Sequence, residues 1–189
     1  MPDATTTKPE SSQPQGPIRL HIGGWEVREG WKILDIQPRE GVDFLGTCID
    51  LSQFPDNSIT EIYASHVYEH LSYSGELAPA LREAYRVLKP GGLIRIGVPD
   101  LEVLCRLLLD SRLPLDDRFQ VQRMIYGGQV DAHDFHKVGL TFEFLRAFLR
   151  QVGFQNIQRV KFFGLFKDAT YVEVHGVPIS LNVTAIKPV

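Results

Sequence analysis

Cysteine is scarce: the 189 residues hold only Cys48 and Cys105, both in apolar settings. That excludes a disulfide framework and predicts two buried, reduced thiols in a cytoplasmic protein. No run of about 20 apolar residues is present to cross a bilayer, and no apolar N-terminal stretch resembles a signal peptide, so no membrane span is expected. Blocks of Lys or Arg are missing and the net charge is −3, so no nucleic-acid partner is expected either. Internal repeats are absent too. What the chain does have is 43% hydrophobic residues, enough for one sizeable core.

Met1 to Pro17 is polar and rich in Pro, Ser and Thr, which predicts a disordered tail followed by one domain over residues 18–189. The domain is organised around Ile59 to Asp100. Ile59 to Val67 reads as a strand, and Leu77, Leu81, Ala84, Tyr85 and Leu88 recur at helical spacing, with Pro79 in the first turn. Lys89-Pro90-Gly91-Gly92 is expected to stop that helix, and Leu93 to Val98 is a second strand. Together they make a parallel βαβ unit, which puts Ser65 to His70 and Pro99-Asp100 on the ligand-binding rim at the carboxyl ends of the strands. Asp100 is also expected to cap the next helix.

Before this unit, Ile18 to Ile22 alternates with period two and runs into Gly23-Gly24. Trp31 to Ile36 carries Asp35, and Val42 to Leu51 contains a third strand whose end carries Asp50. The joints are very short for parallel crossovers, so the early helices should be reduced and one sheet face thinly covered, with a homo-oligomeric partner as the expected cover. After Asp100 come an amphipathic helix over Leu101 to Leu109, expected as core, and another over Asp116 to Tyr126. Gly127 to Val138 is a polar loop long enough to serve as a lid. Thr141 caps a helix closed by Gly153, and Phe154 to Phe163 and Ile179 to Ile186 are two final strands, the last antiparallel.

A strand ending in glycines, acidic residues closing the next two strands, the phrase LREAYRVLKPGGLIRIGVPD and a late helix ending in QVGF are together similar to the class I S-adenosylmethionine-dependent methyltransferases. The small methyltransferase type 11 domains are the nearest match. The resemblance implies an α/β, doubly wound, mostly parallel seven-stranded Rossmann-like sheet with its last strand antiparallel. It implies S-adenosylmethionine as cofactor and methyl transfer to a small-molecule oxygen or nitrogen. By the same resemblance Gly23 and Gly24 meet the methionine part of the cofactor, Asp35 holds the ribose hydroxyls, Asp50 with Leu51 meets the adenine, and Ser65 and His66 lie beside the transferable methyl. Trp25 stands where the family usually has its last glycine, which leaves an alternative: a catalytically inactive interaction protein whose cofactor pocket Trp25 blocks. A nicotinamide enzyme is disfavoured, because no G-x-G-x-x-G follows the first strand.

On the acceptor side, His66 and His70 are the candidate catalytic residues, since an imidazole titrates near neutrality and can orient or deprotonate an acceptor. Glu69, Tyr126, His133 and His136 are candidate substrate or lid residues. As a helical turn, His66 and His70 would share one face, the geometry of a two-histidine metal site that His133 and His136 could complete. No ligand spacing here is diagnostic, and no metal is expected.

Overall fold

The computed structural model describes residues 17–189, so the tail expected over Met1 to Pro17 lies outside the described residues except for Pro17. Five parallel strands form first: β1 (Ile18–Ile22), β2 (Trp31–Asp35), β3 (Phe44–Leu45), β4 (Ile59–Ser65) and β5 (Leu88–Pro99). The chain continues through α2 (Leu101–Leu109), α3 (Leu115–Tyr126), α4 (Phe142–Val152), β6 (Gln155–Val160), a small hairpin of β7 (Glu173–Val174) and β8 (Val177–Pro178), and β9 (Ser180–Ile186). Helix α1 (Leu77–Val87) is the β4–β5 crossover. The main sheet has the order β3-β2-β1-β4-β5-β9-β6, with β9 antiparallel to both its neighbours. The doubly wound sheet and its reversed last strand are therefore those expected from the sequence.

Burial follows the apolar pattern. Leu77, Ala80, Leu81, Ala84 and Val87 line one face of α1 and join Leu145 and Leu149 of α4 over the inner strands. A smaller cluster forms where Leu104 and Leu107 of α2 meet Val121 of α3 and Ile179. The leucine stripe of α2 is only partly core: Leu109 is 77% exposed at the helix end. Asp100 caps α2 as expected, its Oδ1 accepting from the N–H groups of Glu102 (3.1 Å) and Val103 (3.3 Å). Thr141 caps α4 through the N–H of Phe144 (3.3 Å), and Gly153 closes it in the left-handed region.

Three local expectations are corrected. The helix stops before Lys89-Pro90-Gly91-Gly92 as expected, but the strand expected from Leu93 starts at Leu88 directly after α1 and runs through these residues, with a register shift opposite Ile59 to Glu61. The peptide groups around them remain paired, the Gly91 N–H donating to the Lys187 carbonyl (2.8 Å). The third strand shrinks to Phe44–Leu45, leaving Asp50 in the turn beyond it. Cys48 is buried, whereas Cys105 is exposed on α2; both are free thiols.

The early crossovers, residues 23–30 and 36–43, contain no helix. Around Trp31 and Tyr63 the sheet face they leave is covered from within the chain. The segment after β6 folds back so that Phe163 and Phe166 pack on Trp31 of β2 and Tyr63 of β4, with the Trp31 and Phe166 rings 5.3 Å apart and edge-on. The Tyr63 hydroxyl, buried by this packing, donates to Asp168 (2.6 Å). Among the described residues, no helix is long and apolar enough to cross a membrane.

Candidate active site at the carboxyl rim

β1 and β4 are adjacent and the chain leaves them toward opposite edges of the sheet, which makes their carboxyl ends the topological switch point where open α/β sheets bind ligands. A cavity of about 700 Å³ opens there. Gly23, Asp35, His66, His70 and His133 all reach its wall, so the structure brings together five of the residues singled out from the sequence.

The two glycines do different work. Gly23 has φ +68°, and a Cβ on it would stand 2.7 Å from Cγ2 of Val67, so only glycine lets the β1 backbone turn at the cavity wall. Gly24 faces the other way: a Cβ there would stand 2.4 Å from the His21 ring. That ring is 3% exposed, packed against Tyr63 and Phe166, and burial pushes its pKa down to about 4.

Trp25 also lines this cavity. Its indole is 79% exposed at the rim and stacks on the Arg39 guanidinium, 4.2 Å from the ring centroid. Arg39 in turn donates to Asp35 Oδ2 (2.7 Å) and to the Gly24 carbonyl, and Asp35 Oδ1 accepts the Gln37 N–H (2.9 Å). A carboxylate offers about four lone-pair sites, so Asp35 retains acceptor capacity toward the cavity.

Asp50 and Leu51 lie away from this cavity. Asp50 lines a separate shallow depression with Arg82 and Arg86, its Oδ1 accepting the Ser52 N–H (2.9 Å). Leu51 is fully buried, its N–H donating to Glu83 (2.9 Å) and its carbonyl accepting from Arg86 (2.9 Å). The wall they were expected to form is made instead by Thr47 and Cys48, because the shortened third strand brings the chain to the rim earlier. Burial pushes the Cys48 thiol up to about 12, so it is an apolar wall and not a nucleophile.

Ser65 lines an adjoining pocket of about 360 Å³ with His21 and Asp168, and His66 forms part of both walls. Ser65 Oγ is buried with no partner among the described residues. His66 adopts φ +54°, an uncommon conformation for a side chain other than glycine, and such strain concentrates at functional sites. A single 3₁₀ turn, Tyr68 to His70, follows it. Tyr68 anchors the turn in the core, while Glu69 is buried and His70 reaches the cavity.

The polar loop 127–138 does fold over the rim. Its residues Val130 to Asp134 and Lys137 belong to the cavity wall, and Lys137 pairs with Glu76 (3.1 Å) across the mouth. The Glu69 carbonyl accepts the N–H groups of Lys137 (2.8 Å) and Val138 (3.2 Å), which ties loop to turn. His136 is held behind the wall rather than on it, its ring Nδ1 3.0 Å from the Met124 carbonyl and its pKa lowered by burial. Tyr126 is 56% exposed and not on this cavity's wall, and its carbonyl accepts the His136 N–H. The Trp25–Arg39–Asp35 chain and the Lys137–Glu76 pair carry no motif that sequence reasoning could have found.

Comparison with known proteins agrees with this geometry. Residues 33–96 match the family model described as a methyltransferase domain. No curated protein matches the chain. Among solved structures, a SAM-dependent methyltransferase from Archaeoglobus fulgidus superposes with a TM-score of 0.59 at 20% identity, covering 90% of this chain and 86% of its own. A SAM-dependent methyltransferase from Thermotoga maritima gives 0.55 at 21% identity, covering 93% and 84%. Human N-acetylserotonin methyltransferase in complex with SAM gives 0.53 at 17% identity, and there this chain covers 48% of the larger enzyme. Identities this low carry the fold alone, and over residues 33–96 the chain is similar to the methyltransferase domain that the family model describes.

Proposed function

We propose that this protein transfers a methyl group from S-adenosylmethionine to an oxygen or nitrogen of a small molecule. The observation that carries the reading is the cavity at the switch point, with Gly23 and Asp35 on one side and His66 and His70 on another. Its volume of about 700 Å³ suits a nucleoside-sized ligand with room for a second small molecule. The residues fit the cofactor's chemistry: backbone without a Cβ at Gly23, a carboxylate with free lone pairs at Asp35 for a ribose diol, and apolar walls at Leu34, Cys48 and Leu71. Asp50 and Leu51, in other surroundings, are left out of this assignment.

When bound, the cofactor supplies a methyl group activated by its sulfonium. The protein's share is chiefly proximity and orientation, since displacement at carbon needs donor and acceptor held in line. Arg39 fixes the Asp35 carboxylate, and the loop 127–138 screens the cavity from water. His66 and His70 line the wall where an acceptor would be oriented. The His70 Nδ1 proton is held by the Phe135 carbonyl (3.2 Å), which leaves Nε2 to accept a proton from an acceptor hydroxyl or amine.

The rival reading, an inactive interaction protein with Trp25 as the plug, draws support from one observation: Trp25, Arg39 and Asp35 form a continuous chain at the rim. The 79% exposure of Trp25 favours an open cavity. Calorimetric titration of cofactor-free protein with S-adenosylmethionine and S-adenosylhomocysteine separates the two. Micromolar binding by the parent supports the enzyme; binding that appears only in Trp25→Gly establishes the plug.

A further inference from the structure

Beside the cavity, and outside the cofactor assignment, lies a cluster of one buried carboxylate and the imidazoles around it. Glu69 is 1% exposed, and neither of its carboxylate oxygens has a hydrogen-bond partner among the described residues. A bare buried carboxylate is costly, and native structures supply it with a donor, an ion pair or a metal. Ligand atoms of Glu69, His70 and His136 lie within 4.8 Å of one another.

The tautomers of both histidines follow from their partners. His70 Nδ1 faces the Phe135 carbonyl (3.2 Å) and His136 Nδ1 faces the Met124 carbonyl (3.0 Å). A carbonyl can only accept, so both Nδ1 atoms carry the proton and both Nε2 atoms carry a lone pair. Orientation of a ring by an Nδ1–H bond to a backbone carbonyl is the arrangement that supports metal-ligating histidines. His66 stands alongside. The Ser180 hydroxyl gives its only proton to the Ala169 carbonyl (2.8 Å), so His66 Nε2–H donates to Ser180 Oγ (3.0 Å), while Nδ1 lies 3.1 Å from Glu69 Oε1 without hydrogen-bond geometry.

We propose that Glu69, His70 and His136 form a binding site for one divalent first-row transition cation such as Zn²⁺ or Co²⁺. Two imidazoles and one carboxylate favour that class over Mg²⁺, which prefers oxygen ligands. Two features hold the site together: the 3₁₀ turn that buries Glu69 and presents His70, and the backbone bonds from Lys137 and Val138 to the Glu69 carbonyl that bring His136 alongside. Because His70 also belongs to the cavity wall, the cation would adjoin whatever occupies the cavity, and His70 would then act as a ligand rather than as a free base.

The site is tested without cofactor or acceptor, so its outcome is independent of the methyl-transfer reading. The full chain is stripped with chelator, dialysed and titrated with Zn²⁺ by calorimetry, with Co²⁺ by visible absorption, and with Mg²⁺ for comparison. One Zn²⁺ or Co²⁺ per chain at micromolar or tighter affinity is expected, with Mg²⁺ weaker. His70→Gln and His136→Gln should each weaken Zn²⁺ binding at least about tenfold. Glu69→Gln should do the same, and thermal melts establish that each variant is folded; His70 is partly exposed, so its variant stands if the buried one fails. Absence of stoichiometric binding at millimolar Zn²⁺ overturns the site, as does unchanged affinity in folded His70→Gln and His136→Gln. Binding of Mg²⁺ tighter than Zn²⁺ overturns the assigned class of cation.

Discussion

His21 couples the packing of one residue to acidity. In the folded protein its pKa is pushed down to about 4 by burial, against 6.5 when free, with Asp168 and Glu26 opposing the shift and Arg39 adding to it. Above pH 6.5 the ring is neutral in both states and its packing is undisturbed. As pH falls from about 6.5 to about 4 the unfolded chain takes up the proton first, so stability drops by on the order of 3 kcal/mol across that window. Urea midpoints measured from pH 7 to pH 4 should fall more steeply for the parent than for His21→Phe; equal slopes would remove His21 as the cause. The same ring makes Gly24→Ala unfavourable, because the added methyl must displace it, and a loss of about 1–3 kcal/mol is expected in chemical denaturation. Asp35 is a contrasting case. Its carboxylate is 12% exposed and paired with Arg39, so Asp35→Ala should leave the domain folded at a cost of about 1–3 kcal/mol while weakening S-adenosylmethionine about tenfold or more, consistent with losing a charge-assisted pair of hydrogen bonds.

At the scale of elements, Asp100 joins two of them. It caps α2 and, wholly buried, pairs with Arg159 of β6. Thr141 makes only a cap, so Thr141→Ala should cost about 1 kcal/mol. Asp100→Ala should cost clearly more, since it removes the cap, the ion pair to Arg159 and the packing of a wholly buried side chain; similar values for the two variants in equilibrium unfolding would show the ion pair to be without effect. Both caps were legible as Asp or Thr immediately before an apolar helical stripe. The extent of β5 was not: Pro and two glycines rightly read as the stop of α1, but the neighbouring C-terminal segment also supplies partners that draw them into the strand, as in the bond from Gly91 to Lys187.

For the whole molecule, the face without early helices is the most consequential feature. The short joints implied thin cover, and around Trp31 and Tyr63 that face is packed by Phe163 and Phe166 of the same chain. Phe166 is buried among three aromatic rings, so Phe166→Ala should destabilise by roughly 3–5 kcal/mol. It should also uncover sheet surface next to Trp31. Analytical ultracentrifugation would then detect self-association in the variant beyond that of the parent, and an unchanged sedimentation profile with unchanged stability would deny the segment its covering role.

The sequence by itself determined the elements and their direction, because apolar spacing of 2 and of 3.6 residues distinguishes strands from helices and a strand–helix–strand run of these lengths is parallel. It therefore placed Gly23, Asp35, His66 and His70 on one rim before any contact was known. Only the tertiary structure decided which other groups meet there. Phe166 over Trp31 and His136 behind Glu69 join residues far apart in the chain, and a loop such as 127–138 has no periodicity from which its path can be read. The same holds for Asp50: a shortening of one strand by a few residues, set by packing and invisible in a pattern of side chains, moved it from the rim to a neighbouring depression.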